Sequence, residues 1–521
     1  MATIYANGTI ITMENETQVE AILVEEGVIT KVGTLSEVQA SAPETALMHD
    51  LKGATMLPGF IDTHGHFTMS VLTSKGCNLS ECETYEQVIE ELHKSKEYGP
   101  EEGLLGYACD NNLMPNKQNL SKEILDEISP DKPMVVLGTS AHIGCVNSAG
   151  LNLLHITADT PDPPVGKIGR VDGTMEPNGY LEGQAILAVL DDLFQFLQFH
   201  LFDYVQQTQL EYLKYGVTTV QDGATNSANI ALLKMLAAED KLLVDIVAYP
   251  IMTPEAIETM DNNQQYVNQY NNHLKLGGYT IIADGALQSK LAWLTTPYEN
   301  CGDYVGHAYF TDAQLERLIA DAAEDNLQIL VHCNGDAAAD QLIRGLHKVP
   351  NVNRPMMLHC SMLRDDQLDA MKQLNIIPSM FTGQIYYYGD VNLEHLSPQI
   401  VDYITPVKAV MDNGLLVNFN QNGPMTKPNP LFSVWAAVNR VTKQGSVVGE
   451  QHKCSVYDAL KAVTINAAYA YFDENTKGSI KEGKVADLVI LDKNPLEVEH
   501  MEIKNIKIIE TIKNGVAYKF D

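Results

Sequence analysis

In the stretch DTHGHF, His64 and His66 stand one residue apart. If that stretch ends a strand, both imidazoles leave on the same face, one pleat repeat apart. Two neutral imidazoles so placed can share one divalent ion. Polar turns also produce H-x-H by chance, so the pair is a weak signal alone. His332 in LVHCNGDAAAD and His359 in PMMLHC each close a further apolar run. For any one of them a structural hydrogen bond is the simpler reading. Four of fifteen histidines ending strand-like segments instead point to one metal centre, with His64, His66, His332 and His359 as ligands.

Carboxylates stand near the same strand ends: Asp62 before His64, Asp222 in TVQDG, Asp284 in IIADGALQSK and Asp336 after His332. Each can ligate, orient a ligand or move a proton. Helix capping competes for the two Asp-Gly pairs. It is preferred for Asp222 and stands level with a functional role for Asp284. His142, Asn147, Glu176 and Glu182, in SAHIGCVNSAGL and MEPNGYLEGQA, are polar groups among apolar neighbours, which fits substrate contacts as well as loop and cap roles. The run GLLVNFNQNGPMTKPNP ends in Asn420 and Asn422. Enzymes often place an ionisable group at the mouth of such a strand, and asparagine does not titrate.

Positioning these residues requires alternating strands and helices. Strand candidates are 54–64, 216–223, 244–250, 279–285, 327–333, 355–360, 376–380 and 415–421, most of them separated by helical patterns such as DAQLERLIADAAEDN. Eight such units predict a (β/α)₈ barrel within 56–469, with its active residues at the C-terminal strand ends. About 150 residues between the first two strands are too many for a loop. Residues 68–205 are therefore expected to be an inserted α/β lid over the barrel mouth. Both chain ends are strand-rich with Asn-Gly turns, so 1–55 and 470–521 are expected to form one β-sandwich.

Bulk composition narrows the function class. The chain has 521 residues, 45% apolar and 20% charged, with a formal net charge of −32. That charge argues against nucleic acid or an anionic membrane as partner. No apolar window is long enough to span a bilayer. The N-terminus lacks a basic region followed by an apolar run, and the eight cysteines form no C-x-x-C pair. Reduced thiols in a cytoplasm are the expectation. Aromatic density in FTGQIYYYGD, with Trp293 and Trp435, fits either core packing or an apolar part of a substrate.

Taken in order, LPGFIDTHGH, DGALQSKLAWLTTPY, HCNGDAAADQL, LHCSMLRDDQLDAMKQLNIIPSMF, PVKAV, PNPLFSVWAAVNRVT and GSIKEGKVADLVILDKNPL resemble the amidohydrolase superfamily over essentially the whole chain. Within it they are similar to the amidohydrolase-3 or YtcJ-like branch, which includes N-substituted formamide deformylases. The resemblance implies a metal-bearing (β/α)₈ barrel beside a β-sandwich, and hydrolysis of a C–N bond (amide, N-acyl or N-formyl) by metal-activated water. It implies zinc or another divalent metal on His64, His66, His332 and His359, with His142 meeting substrate.

Among the implied catalytic positions are His359, Asp284 and Asn422, the last where the family's eighth strand carries its proton-shuttling aspartate. Glu182, Asp336 and Gln384 join His142 as expected substrate contacts. Thr280 stands where many relatives have a metal-bridging lysine, which favours one ion over two. Gln384, Asn392 and Asn420 stand where relatives often carry histidine. Three readings of Asn422 stay open: an engineered replacement of aspartate, a natural residue with Asp284, Asp336 or His142 moving the proton, or a barrel that binds a ligand or runs a lyase or isomerase reaction. The expected partner is a small-molecule amide, and a homodimer is an open option.

Overall fold

The structure, a computed structural model, describes all residues except 1, 16–17, 75, 97–102, 111–113, 115–118, 140, 188–200 and 521. Its centre is built from the apolar runs of the middle of the chain. Phe60–Ile61, Val217–Thr225, Asp245–Pro250 and Leu274–Leu276 form one all-parallel sheet in that order. Gly278–Ile282, Gln328–Cys333, Met356–His359, Ile377–Met380 and Asn418–Phe419 form a second. These strands are buried on both faces and most are rich in apolar side chains, as helix-covered parallel strands require, although Val217–Thr225 buries Thr218, Thr219, Gln221 and Asp222.

Backbone pairing gives two sheets here rather than one continuous ring. Phe60–Ile61 and Asn418–Phe419, the two facing edge strands, are each two residues long and no ladder runs between them. Other bonds join the edges: the Thr63 hydroxyl donates to Asn418, and the Asn422 N–H donates to the His64 carbonyl at 3.0 Å. On the other side a parallel bridge links Ile251, just beyond Asp245–Pro250, to Thr280 of Gly278–Ile282.

The helices between strands follow their caps. In Asp312–Glu324, Thr311 and Gln314 form a capping box, and Leu315, Ile319 and Ala322 are buried at helical spacing. The first strand differs from the continuous 54–64 expected. Thr55–Pro58 joins a different sheet from Phe60–Ile61, with the break at Pro58-Gly59. A side chain at Gly59 would strike Thr218 at 2.6 Å, so only glycine lets the chain cross between sheets there.

Strands from both chain ends share one mixed eight-stranded sheet. Its order is Val516–Lys519, Ile508–Lys513, Leu488–Leu491, Thr55–Pro58, Ala2–Ile11, Gln18–Glu25 and Val28–Gly33, with Leu47–Asp50 paired to Ala2–Ile11. A buried ionic cluster pins it to the parallel strands. Asp245 pairs with Lys477, with Lys513 at 2.7 Å and with His273 at 2.7 Å, and Lys513 reaches Asp487 at 2.8 Å. Burial opposes charge on Asp245, yet the two lysines and His273 hold its carboxyl well below the ordinary range. The segment between the first two parallel strands builds its own six-stranded sheet, from Cys77–Asn78 to Pro177–Gly183, with a separate apolar core around Leu92, Leu125 and Val136. Among the described residues no helix is long and apolar enough to cross a membrane.

Candidate active site

The C-terminal ends of the parallel strands open into a cavity of about 600 Å³, lined by His64, His66, His142, His332 and His359 among others. His64 and His66 do not sit in a strand. The chain bends at His64, and His66 makes a single bridge to Asp222, so the shared direction comes from the turn rather than the pleat. His332 lies in Gln328–Cys333 and His359 ends Met356–His359. His359 and Cys360 both adopt left-handed backbone, at φ 69° and 48°. Such conformations cost about 1–3 kcal/mol each and cluster where function demands a particular aim.

Hydrogen bonds set the imidazole tautomers. His64 Nδ1 stands 3.0 Å from Gln221 Oε1, and His66 Nδ1 stands 2.8 Å from the Gly223 carbonyl. Both partners are acceptors, since the Gln221 amide nitrogen already donates to the Thr63 carbonyl at 2.7 Å and to the Tyr471 hydroxyl at 3.1 Å. Each Nδ1 therefore carries the proton, and each Nε2 keeps a lone pair. His332 Nδ1 is buried with no hydrogen-bond partner, 3.5 Å from an Asp284 oxygen.

Burial, then mutual repulsion among the rings, lowers the pKa of His64, His66 and His359, and takes His142 down to about 3. These rings are neutral at pH 7, the form that binds metal. Behind them, burial raises Asp62 and Asp222 to about 7.

Pairwise, the ring spacings match those of two ligands on one divalent ion. Ring centres are 5.1 Å apart for His64 and His66, 4.8 Å for His64 and His359, and 4.5 Å for His332 and His359. Metal–nitrogen bonds of about 2.0–2.1 Å in a tetrahedral array put two ligating rings about 5 Å apart. Among the described residues no group of three or more His, Cys, Asp or Glu side chains is arranged to hold a metal ion.

Not every residue expected at the site faces the cavity. His142, Gln384 and Asn422 line it, and so does Thr280. Asp284, Asp336 and Glu182 do not. Asp284 is fully buried and accepts the N–H groups of Trp293, Asn334 and Gly335 at 3.0, 2.9 and 2.8 Å, which holds it behind His332. Asp336 is occupied by Thr295 and by Arg364 at 2.8 Å. Glu182 accepts from the Tyr180 hydroxyl at 2.7 Å on its own strand. Asp222 does cap a helix, but a distant one: it accepts from Thr68 N–H at 2.9 Å in Phe67–Thr73. Asn392 is fully buried, and neither amide atom has a hydrogen-bond partner.

Sequence reading missed Gln221, Asn334 and Tyr309. Asn334 accepts from Ser361, and its amide nitrogen lies 3.4 Å from His332 Nε2. The Tyr309 hydroxyl lies 3.5 Å from His142 Nδ1. Gln221 carried a signal of a kind, an amide in a fully buried stretch of Val217–Thr225 directly before Asp222.

A family model described as the amidohydrolase family matches residues 48–517. The N-substituted formamide deformylase of Arthrobacter pascens is 26% identical over 519 residues, 95% of this chain and 94% of its own. The YtcJ protein of Bacillus subtilis is 26% identical over 99% of each chain. The crystal structure of an uncharacterized metal-dependent hydrolase from Pyrococcus horikoshii OT3 superposes with a TM-score of 0.80 at 22% identity, over 96% of this chain and 99% of that one.

Proposed function

The chain belongs to the amidohydrolase family, and on that premise we propose that it is a metal-dependent hydrolase cleaving a C–N bond, of amide, N-acyl or N-formyl type, in a small molecule. The observation that carries this is the convergence of His64, His66, His332 and His359 on one cavity with Nδ1 of His64 and His66 tied to acceptors. These four would hold one ion, zinc or another divalent metal, and Thr280 in place of a bridging lysine argues against a second. When bound, such an ion supplies Lewis-acid activation of water and of the carbonyl oxygen.

The chain's own residues do the rest. Gln221 and the Gly223 carbonyl orient the first two imidazoles, and Asp284 backs His332. His142 and Gln384 contact the amide from opposite elements, and its carbonyl would be polarised by the bound ion or by His359. Water's oxygen ends on the acyl carbon, the C–N bond breaks and the amine leaves with a proton. Asn422 orients water at the cavity but takes no proton. That feature favours a second reading, a silent or repurposed barrel that binds a small ligand or runs a lyase or isomerase reaction.

The two parallel sheets are read as halves of one (β/α)₈ barrel spanning 56–469. Residues 68–205 are read as a lid on its mouth, and 1–55 with 470–521 as a composite sandwich. A cytoplasmic location agrees with eight free cysteines. Metal analysis after growth in zinc-supplemented medium, with turnover of an N-acyl and N-formyl panel before and after chelation, tests the function. One zinc per chain and turnover lost on chelation support it. A metal-free, inactive protein overturns it.

A further inference from the structure

Gln384 reaches the cavity wall from the first turn of Gln384–His395, and its amide is held from behind. Its Nε2 donates to the Thr405 hydroxyl oxygen, and Ser361 Oγ stands 3.0 Å from its Oε1. Neither Thr405 nor Ser361 lines the cavity. Thr405 is a strained anchor. It is β-branched, it precedes Pro406, and its backbone is left-handed at φ 48°. Branching at Cβ and a following proline both oppose that conformation. A residue so placed persists only where its surroundings over-determine it.

Arg440 supplies the constraint. It is fully buried and ends Pro430–Asn439 in left-handed backbone of its own, at φ 56°. Its Nη2 donates to the Ile404 carbonyl at 2.6 Å, Nη1 to the Thr405 carbonyl at 2.8 Å and Nε to the Val448 carbonyl at 2.7 Å. The planar fork thus grips the carbonyls on both sides of the Thr405 Cα, which fixes φ and ψ there together. The Ser361 carbonyl accepts the Thr405 N–H at 2.9 Å and completes the hold. All three guanidinium bonds go to carbonyls and none to a carboxylate. A buried charge so answered costs more than an apolar side chain of the same volume, so packing alone does not account for an arginine.

Building on the reading of Gln384 as a substrate contact, we propose that Arg440 is a positioning residue for the amide site. It does not line the cavity. By holding Thr405 in its left-handed conformation it aims the hydroxyl that fixes Gln384, so the order of dependence runs from Arg440 through Thr405 and Gln384 to the substrate. Lysine at 440 keeps the charge, but its ammonium is a point donor that cannot span three carbonyls in the plane of a guanidinium.

The test uses the full zinc-loaded chain, with the N-formyl amide of 2-phenylethylamine as probe. Arg440→Lys is expected to raise KM about tenfold with kcat within about threefold, the loss of one well-placed hydrogen bond. Its crystal structure is expected to show the Gln384 amide beyond hydrogen-bond distance of the Thr405 hydroxyl. In a Gln384→Ala background the same substitution should change KM less than about twofold, a non-additivity that a merely structural arginine does not produce. Thr405→Val leaves the guanidinium bonds in place and is expected to raise KM as Arg440→Lys does. It decides the matter should Arg440→Lys fail to fold. Gln384 unmoved in either variant, or equal KM effects with and without Gln384, overturns the proposal. A parent without turnover, with Gln384 displaced in the variants, counts against the hydrolase reading and supports this one.

Discussion

Aspartate at position 422 would differ from the present residue by one atom, oxygen for nitrogen, so packing around it is unchanged. The backbone there is left-handed at φ 53°, a conformation that Asn and Asp both tolerate. Its N–H stays bonded to the His64 carbonyl at 3.0 Å, which keeps the side chain on the cavity wall beside the imidazoles. The one thing gained is a group that accepts a proton. A positioned general base contributes about 10²–10⁴ in rate, so Asn422→Asp is expected to raise kcat by that factor at pH 7–8 with KM changed less than about tenfold.

The pH profile should change as well. A carboxylate base works only when ionised, so the variant acquires an acid limb, with activity falling as pH drops through the new group's pKa. Asn422→Ala loses only the orienting of water, not a proton acceptor, and should stay within about tenfold of the parent with no acid limb. The assay is steady-state turnover of N-acyl and N-formyl amides at equal metal content, over pH 5–9. Turnover of Asn422→Asp within about threefold of the parent, with no acid limb, would refute the assignment of this position to proton transfer.

Three further outcomes follow from the geometry. Gln221→Leu removes the acceptor that holds His64 in its Nδ1–H form, and is expected to weaken zinc binding by about 10–100-fold, read by competition with a chromophoric chelator. Gln221→Glu, which keeps an acceptor there, should bind zinc at least as tightly as the parent. Asp245→Ala removes the carboxylate paired with buried Lys477 and leaves Lys513 to Asp487 alone, and is expected to cost about 3–5 kcal/mol in urea unfolding. The same carboxylate shapes the acid response, because its folded pKa lies below its unfolded value of about 3.9. Its stabilising contribution is complete above that value and is lost as pH falls through the folded pKa. The unfolding midpoint of the parent should therefore drop more steeply below pH 4 than that of Asp245→Asn.

Local pattern carried much of this molecule. Apolar runs broken by Gly and Asn placed most of the parallel strands to within a few residues, but Leu274–Leu276 lay outside every expected run and only Phe60–Ile61 of 54–64 joined the parallel sheet. Histidines ending those runs were legible because each sits at a boundary between a buried strand and a polar turn. Orientation was less legible. Asp284, Asp336 and Glu182 lie close in sequence to cavity residues yet turn to backbone N–H groups, an arginine and a tyrosine. Gln221 went unread because its partners, His64 and Tyr471, are 157 and 250 residues away.

The sequence by itself determined which elements exist and which residue types end them, because hydrophobic period and turn chemistry act within a few residues of the chain. It also determined that position 422 has no charge to give. Tertiary structure alone decided which of the candidate side chains share a cavity and which tautomer His64 and His66 hold. Those properties arise where distant strands meet, and there burial and hydrogen-bond partners, rather than local spacing, set each group's charge and direction.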